Sequence, residues 1–183
     1  NGTNGDVTAG DNIFSFQTVV GVLTPPGAKA LPARITDAQG RTGSATIPLT
    51  VEPPLLPIHE IQGSGNRSPY ANWLVSTTGV VTGVKGNGFF IQTPDDSIDA
   101  DLNTSEGIFV FTSSFPPAAA ALGNLVKVTG TVQEYIPASD PNSPPATEIA
   151  GSPTVVLISV GYPVPAPIIL SAAETSPTGT IEQ

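Results

Sequence analysis

Apolar and polar residues alternate along part of the first third of the chain, a period-two pattern that predicts β-strands. In residues 44–51 the alternation places four small or apolar side chains on one face: Ala45, Ile47, Leu49 and Val51. The stretch DAQG at 37–40 has turn chemistry and joins this strand to a preceding one at 30–37. The pattern predicts a β-hairpin, which together with a further strand at 12–18 forms a first module over residues 1–52.

A second module covers residues 58–160, where short apolar and aromatic runs are divided by turns. The predicted strands are 58–61, 74–84, 88–92, 107–112, 125–135 and 154–160. Gly79 and Gly83 permit a bulge or a tight bend within the second of these strands. Residues 116–122 (PPAAAAL) are the one helical candidate, because proline at its start and Gly123 at its end occupy preferred positions. Read in order, the longer runs give three strands, a short helix and two strands, the order of the OB-fold, a five-stranded Greek-key barrel.

Two proline-rich segments flank this second module. Residues 53–57 (PPLLP) contain three prolines, which resist both helix and central strand, so they are expected to form a semi-rigid extended linker. Residues 161–183 begin with GYPVPAPIIL and continue with polar residues that cannot build a core. We expect this segment to be an extended tail leading to a downstream domain.

Composition narrows the function classes. Without Cys the chain has no disulfide, no thiolate zinc site and no cysteine nucleophile, and without Met we expect it to be a fragment or a processed product. No apolar run approaches the ~18 residues of a membrane span. The net charge of −9, with only six basic residues, counts against strong autonomous binding to DNA or RNA.

Several stretches together resemble a known family. They are IHEIQGSG at 58–65, VVTGVKGNGFFIQTP at 80–94, SEGIFVFT at 105–112 and LVKVTGTVQEY at 125–135. In this order they resemble the OB-fold module upstream of the catalytic domain in large secreted bacterial nucleases of the endonuclease/exonuclease/phosphatase type. Residues 36–51 likewise resemble the end of a bacterial extracellular immunoglobulin-like domain, so residues 1–52 are expected to be the C-terminal part of such a module.

The resemblance implies an extracellular or cell-surface bacterial protein. In the family the hydrolase machinery is a downstream catalytic domain of the same polypeptide, so this chain is expected to be non-catalytic and its parent a metal-dependent nuclease or phosphodiesterase. His59 is the only histidine, and no nucleophile motif accompanies it. An exposed or hydrogen-bonded structural role is therefore predicted for His59.

The segment between the apolar runs 88–92 and 107–112 is crowded with carboxylates. Oxygen-bearing side chains fall at alternating positions, as in a calcium loop: Asp99, Asp101, Asn103 and Ser105. Thr104 and Val110 stand where an EF-hand needs Gly and Glu, which excludes that motif. The remaining candidates for an irregular calcium site are Asp95, Asp96 and Glu106, which would join Asp99 and Asp101. The alternative is a solvated loop tip. Asp6 and Asp11 form a smaller calcium candidate.

The barrel is also a candidate for weak binding of single-stranded DNA or RNA, since OB-folds bind nucleic acid through aromatic residues and a basic groove. The residues predicted to do so are Lys85, Phe89, Phe109 and Lys127. Core packing is the alternative role for the phenylalanines, and residues 57–165 contain three basic residues against nine acidic ones. A purely structural or adhesive module, or a carbohydrate-binding barrel, remain the competing interpretations.

Overall fold

The computed structural model describes residues 7–10, 15, 17, 19, 21, 24–36 and 39–165, and the chain divides into two compact units at residues 51 and 52. Strands dominate the secondary structure, which confirms the predicted all-β class.

The first unit contains an antiparallel hairpin of β1 (Gly27–Thr36) and β2 (Thr42–Val51). The register runs from Gly27 opposite Val51 to Thr36 opposite Thr42, so a hairpin is present where the alternation predicted one, with strand bounds that differ by up to three residues. Leu31 faces Ile47 across the pair, and both side chains are exposed.

Some expectations for the first unit fall outside the described residues. They concern Asp6 and Asp11, most of the predicted strand at 12–18, and the first two residues of the turn, Asp37 and Ala38.

The second unit is built around a closed five-stranded barrel. Its strands are β3 (Leu74–Lys85), β4 (Gly88–Gln92), β5 (Gly107–Phe111), β6 (Leu125–Tyr135) and β7 (Ala146–Ser159). Their order around the barrel is β3-β4-β5-β7-β6, and β6 pairs with β3 to close it. All pairs are antiparallel except β5 and β7, which run parallel. The predicted bulge in β3 is confirmed by a register shift between Val81 and Gly83.

The predicted strand at 58–61 is wrong, because this segment is a short helix, α1 (Ile58–Gln62). Ile58 and Ile61 are three residues apart, so one helical turn directs both side chains inward, where both are fully buried. Pro57 precedes the helix, and Gly63 ends it with a φ of 69°, a left-handed conformation that favours glycine. Four residues are too few for periodicity to separate a helical turn from a strand.

Two further elements differ from the prediction in length. The helix expected at 116–122 is a single 3-10 turn, Ala118–Ala120. The last strand, β7, starts at Ala146 rather than at residue 154. Its middle holds Gly151 and Ser152 with positive φ, where the register with β6 also shifts. This irregularity interrupts the alternation of apolar and polar residues along β7, so the sequence pattern predicted only the part of the strand that follows it.

The core of the second unit lies inside the barrel and under α1. Inward positions of all five strands contribute to it, and its largest fully buried side chains include Phe89, Ile91, Ile149, Ile58 and Ile61. Trp73 and Tyr70 pack against this core at its edge. Neither of the two short helices in the described part of the chain is long and apolar enough to cross a membrane.

Candidate functional site

The outward face of β4 and β5 carries a pair of aromatic rings. Phe90 and Phe109 are directly opposite each other in the register, and their ring centroids are 4.8 Å apart with an interplanar angle of 47°. Phe90 remains 42% exposed and Phe109 is partly exposed. An aromatic pair that still faces solvent is available to stack against a planar ligand.

Gly88 and Lys85 hold the Phe109 ring in place. A Cβ atom on Gly88 would lie 2.3 Å from Cζ of Phe109 and 2.4 Å from the carbonyl oxygen of Val110, so the ring occupies space that only glycine leaves free. The ammonium nitrogen of Lys85 lies 5.2 Å from the centroid of the Phe109 ring, within cation–π range. The ring pair and Lys85 are hereafter called the aromatic face.

A carboxylate lies next to this aromatic face. Glu148 on β7 pairs in register with Phe109, and only 8% of the residue is exposed. Burial raises the pKa of Glu148, and the nearby positive charge of Lys85 acts in the opposite direction. The aromatic face therefore combines two rings and a cation with a carboxylate beside them.

The residues predicted to bind nucleic acid do not all reach this face. Phe109 and Lys85 belong to it. The choice of Phe89 is wrong, because its side chain is fully buried in the core, and its neighbour Phe90 points outward instead. Lys127 is exposed on β6, and β3 separates that strand from β4. The two adjacent phenylalanines made the phase of β4 ambiguous, although the apolar Ile91 shares the inward phase of Phe89 and leaves Phe90 outside.

The predicted calcium residues are distributed along the segment between β4 and β5. Asp95, Asp96 and Asp101 are exposed. Asp101 stabilises its own turn, because its carboxylate accepts hydrogen bonds from the backbone N–H and the side-chain amide of Asn103. These bonds lower the pKa of Asp101, and the bond from the backbone N–H has the larger effect.

Asp99 and Glu106 instead converge on the sole histidine. Nδ1 of His59 lies 3.3 Å from Oε1 of Glu106 and 3.5 Å from Oδ2 of Asp99. The three ligand atoms are all within 4.8 Å of one another, the single such group of three found among the described residues. The side chains of His59 and Glu106 are only 20% and 17% exposed. This group is called the His59 cluster.

Several contacts fix the His59 cluster to the barrel. The Gln62 side chain donates a hydrogen bond of 2.6 Å to the carbonyl oxygen of Gly107, which ties α1 to the start of β5. The Thr93 N–H donates to the carbonyl oxygen of Glu106 and closes the base of the acidic loop. The backbone N–H of Asp99 donates to Oε1 of Glu106. His59 lies 40 or more positions before Asp99 and Glu106 in the chain, so no local sequence spacing could have joined it to the loop.

No protein-family model, curated protein or solved structure matches the chain.

Proposed function

We propose that this chain is a non-catalytic accessory region of a secreted bacterial nuclease, whose barrel positions single-stranded nucleic acid on the aromatic face. The observation that carries the proposal is the solvent-facing pair Phe90–Phe109 with Lys85 above one of its rings. Stacking of a base on an aromatic side chain contributes about 1–3 kcal/mol and depends little on sequence, and the ammonium group supplies a contact for a phosphate.

The place of this face in the barrel supports the proposal. OB-fold barrels bind oligonucleotides on the face of their second and third strands. In this barrel the second and third strands in chain order are β4 and β5, which carry Phe90 and Phe109. The strand order and the parallel pairing of β5 with β7 agree with the OB-fold that the family resemblance implies.

Charge sets an upper bound on the affinity. Lys85 is the only cation in the aromatic face, and each neutralised phosphate of a single strand contributes a salt slope of only about −0.7. Binding is therefore expected to be weak, to rest chiefly on stacking, and to fall modestly as salt rises.

A carbohydrate is the second candidate ligand, and Glu148 is the observation that favours it. Its carboxylate beside Phe109 and the acidic surplus of the chain oppose a polyanion but not a neutral sugar. Flat apolar faces of sugar rings can stack on exposed aromatic rings, and OB-folds also bind oligosaccharides. A purely structural or adhesive module needs neither ligand.

Fluorescence anisotropy with labelled oligothymidylate separates these possibilities. We expect binding at about 20 mM salt that Phe90→Ala weakens roughly five-fold or more, in line with the loss of one stacking contact. Phe115→Ala is the matched control, because Phe115 is an exposed phenylalanine outside the ring pair. Binding of a neutral oligosaccharide, unaffected by salt and lost in Phe90→Ala, would favour the carbohydrate. No binding of either ligand at low salt leaves the structural role.

A further inference from the structure

We propose that His59, Asp99 and Glu106 bind one divalent transition-metal ion, with Zn²⁺ as its prototype. The cluster is separate from the aromatic face and would bind metal whether or not the barrel binds nucleic acid. It also differs from the calcium site expected from the acidic loop alone, because an imidazole nitrogen contributes and three of the five predicted carboxylates do not.

The interatomic distances suit a small ion. In tetrahedral coordination with bonds of about 2.0–2.1 Å, neighbouring ligand atoms are separated by about 3.3–3.4 Å. Nδ1 of His59 is 3.3 Å from the Glu106 oxygen and 3.5 Å from the Asp99 oxygen. Both distances from Nδ1 therefore agree with those between ligands of a tetrahedral site to within a few tenths of an ångström.

Two buried atoms of the cluster have no hydrogen-bond partner among the described residues. They are Nδ1 of His59 and Oε2 of Glu106, each withdrawn from solvent. A buried polar atom without a partner is costly, and a metal ion bound to Nδ1 of His59 would remove that cost for the imidazole. Two carboxylates and a neutral imidazole also carry a charge of −2, which a divalent ion neutralises.

Hydrogen bonds orient both carboxylates in advance. Oδ1 of Asp99 accepts a hydrogen bond from the backbone N–H of Asp101, which leaves Oδ2 directed toward His59. The hydroxyl oxygen of Thr104 lies 3.4 Å from the same Oδ2 atom. Oε1 of Glu106 accepts the N–H of Asp99. Such outer contacts to ligating carboxylates are typical of protein metal sites, because they fix ligand direction before the ion arrives.

The donor set selects the class of metal. Calcium takes six to eight oxygen ligands, whereas an imidazole nitrogen with carboxylate oxygens suits zinc and other first-row transition ions. Three protein ligands leave a fourth position for water or for a ligand oxygen, as in open zinc sites. The competing account is a protonated imidazole that forms ion pairs with both carboxylates and binds no metal.

The composition of the chain makes the test specific. His59 is the only histidine and the chain has no cysteine, so any nitrogen ligand from an imidazole must come from this residue. The experiment uses the whole untagged chain of 183 residues, dialysed against chelator and titrated with Zn²⁺ by calorimetry. Zn²⁺ titrations followed by NMR of the single imidazole, and Co²⁺ titrations followed by visible absorption, report the coordination directly.

We expect one Zn²⁺ per chain, a shift of the His59 ring signals, and the intense visible bands of four-coordinate Co²⁺. His59→Gln and Asp99→Asn should each lower Zn²⁺ affinity at least ten-fold. Asp95→Asn removes the same charge from an exposed position of the same loop and should leave the affinity within two-fold. Circular dichroism melting of each variant without metal establishes that it is folded.

Three results would overturn the proposal. One is the absence of Zn²⁺ binding at 100 μM metal, which would favour the ion-paired imidazole. Another is Zn²⁺ binding that persists unchanged in folded His59→Gln. The third is tighter binding of Ca²⁺ than of Zn²⁺, insensitive to His59→Gln and lost in Asp95→Asn, which would return the site to the acidic loop alone.

Discussion

Gly88 should be indispensable, because the Phe109 ring lies where any larger residue would place its side chain. In Gly88→Ala the new methyl carbon would meet Cζ of Phe109 at 2.3 Å and the carbonyl oxygen of Val110 at 2.4 Å. Ordinary contacts between carbon atoms begin at about 3.5 Å, so the ring would have to move by about 1.2 Å or more. The oxygen belongs to the backbone of β5, which cannot move without disturbing the β4–β5 ladder.

The expected magnitude follows from these two clashes. Overpacking typically costs about 1–3 kcal/mol, and one of the contacts is with backbone, which places the loss near the upper end. Replacing glycine by alanine also reduces the freedom of the unfolded chain, which returns about 0.4–1 kcal/mol. We therefore expect Gly88→Ala to lower the free energy of unfolding by about 2 kcal/mol.

Urea unfolding followed by Trp73 fluorescence measures this loss, since Trp73 is the only tryptophan and packs against the barrel core. Gly86→Ala, in the turn that precedes β4, is the control, because nothing lies within 4 Å of its added carbon, and it should be neutral or slightly stabilising. In the double variant Gly88→Ala/Phe109→Ala only part of the Gly88→Ala loss should disappear. A Gly88→Ala variant whose free energy of unfolding lies within 0.5 kcal/mol of the parent's would mean that the Phe109 ring and the β5 backbone do not fill the space beside Gly88.

Three further predictions concern the core, the buried carboxylate and the absence of catalysis. Ile91→Ala should cost about 2–5 kcal/mol in urea unfolding, because it leaves a cavity in the barrel, and a smaller loss would indicate a loosely packed interior. Since the folded pKa of Glu148 is raised, its contribution to stability is fully present below its ordinary value of 4.5 and is lost as pH rises through the folded value. Glu148→Gln should therefore flatten the decline of melting temperature over that pH range, and an unchanged pH profile would contradict this assignment. The purified chain should not cleave phosphodiesters, and cleavage that a substitution within the chain abolishes would contradict the proposed accessory role.

Much of the barrel could be predicted from the sequence because its strands alternate cleanly. β4 and β6 have the predicted bounds, and β3 and β5 differ by one residue at an end. The errors occur where the pattern is short or interrupted. Residues 58–61 are too few to reveal a helical period, and Gly151 with Ser152 conceals the first half of β7.

The candidate sites were less predictable, because they depend on tertiary contacts. Two adjacent phenylalanines weakened the alternation in β4, so Phe89 was chosen as a binding residue although the inward phase of Ile91 favours its burial. Likewise, His59 meets Asp99 and Glu106 because α1 lies against the start of β5, where the Gln62 side chain binds the carbonyl oxygen of Gly107. Carboxylates can be located in a sequence, but their convergence on an imidazole that is distant in the chain cannot be predicted from it.

NMR titration of the ¹⁵N-labelled chain shows whether the aromatic face of the barrel is a binding surface. On addition of oligothymidylate at low salt we predict that the amide signals of Lys85, Phe90 and Phe109 shift together, while those of Lys127 and the hairpin at 27–51 stay in place. Unchanged spectra, or shifts confined to a region away from β4 and β5, would contradict this role of the aromatic face.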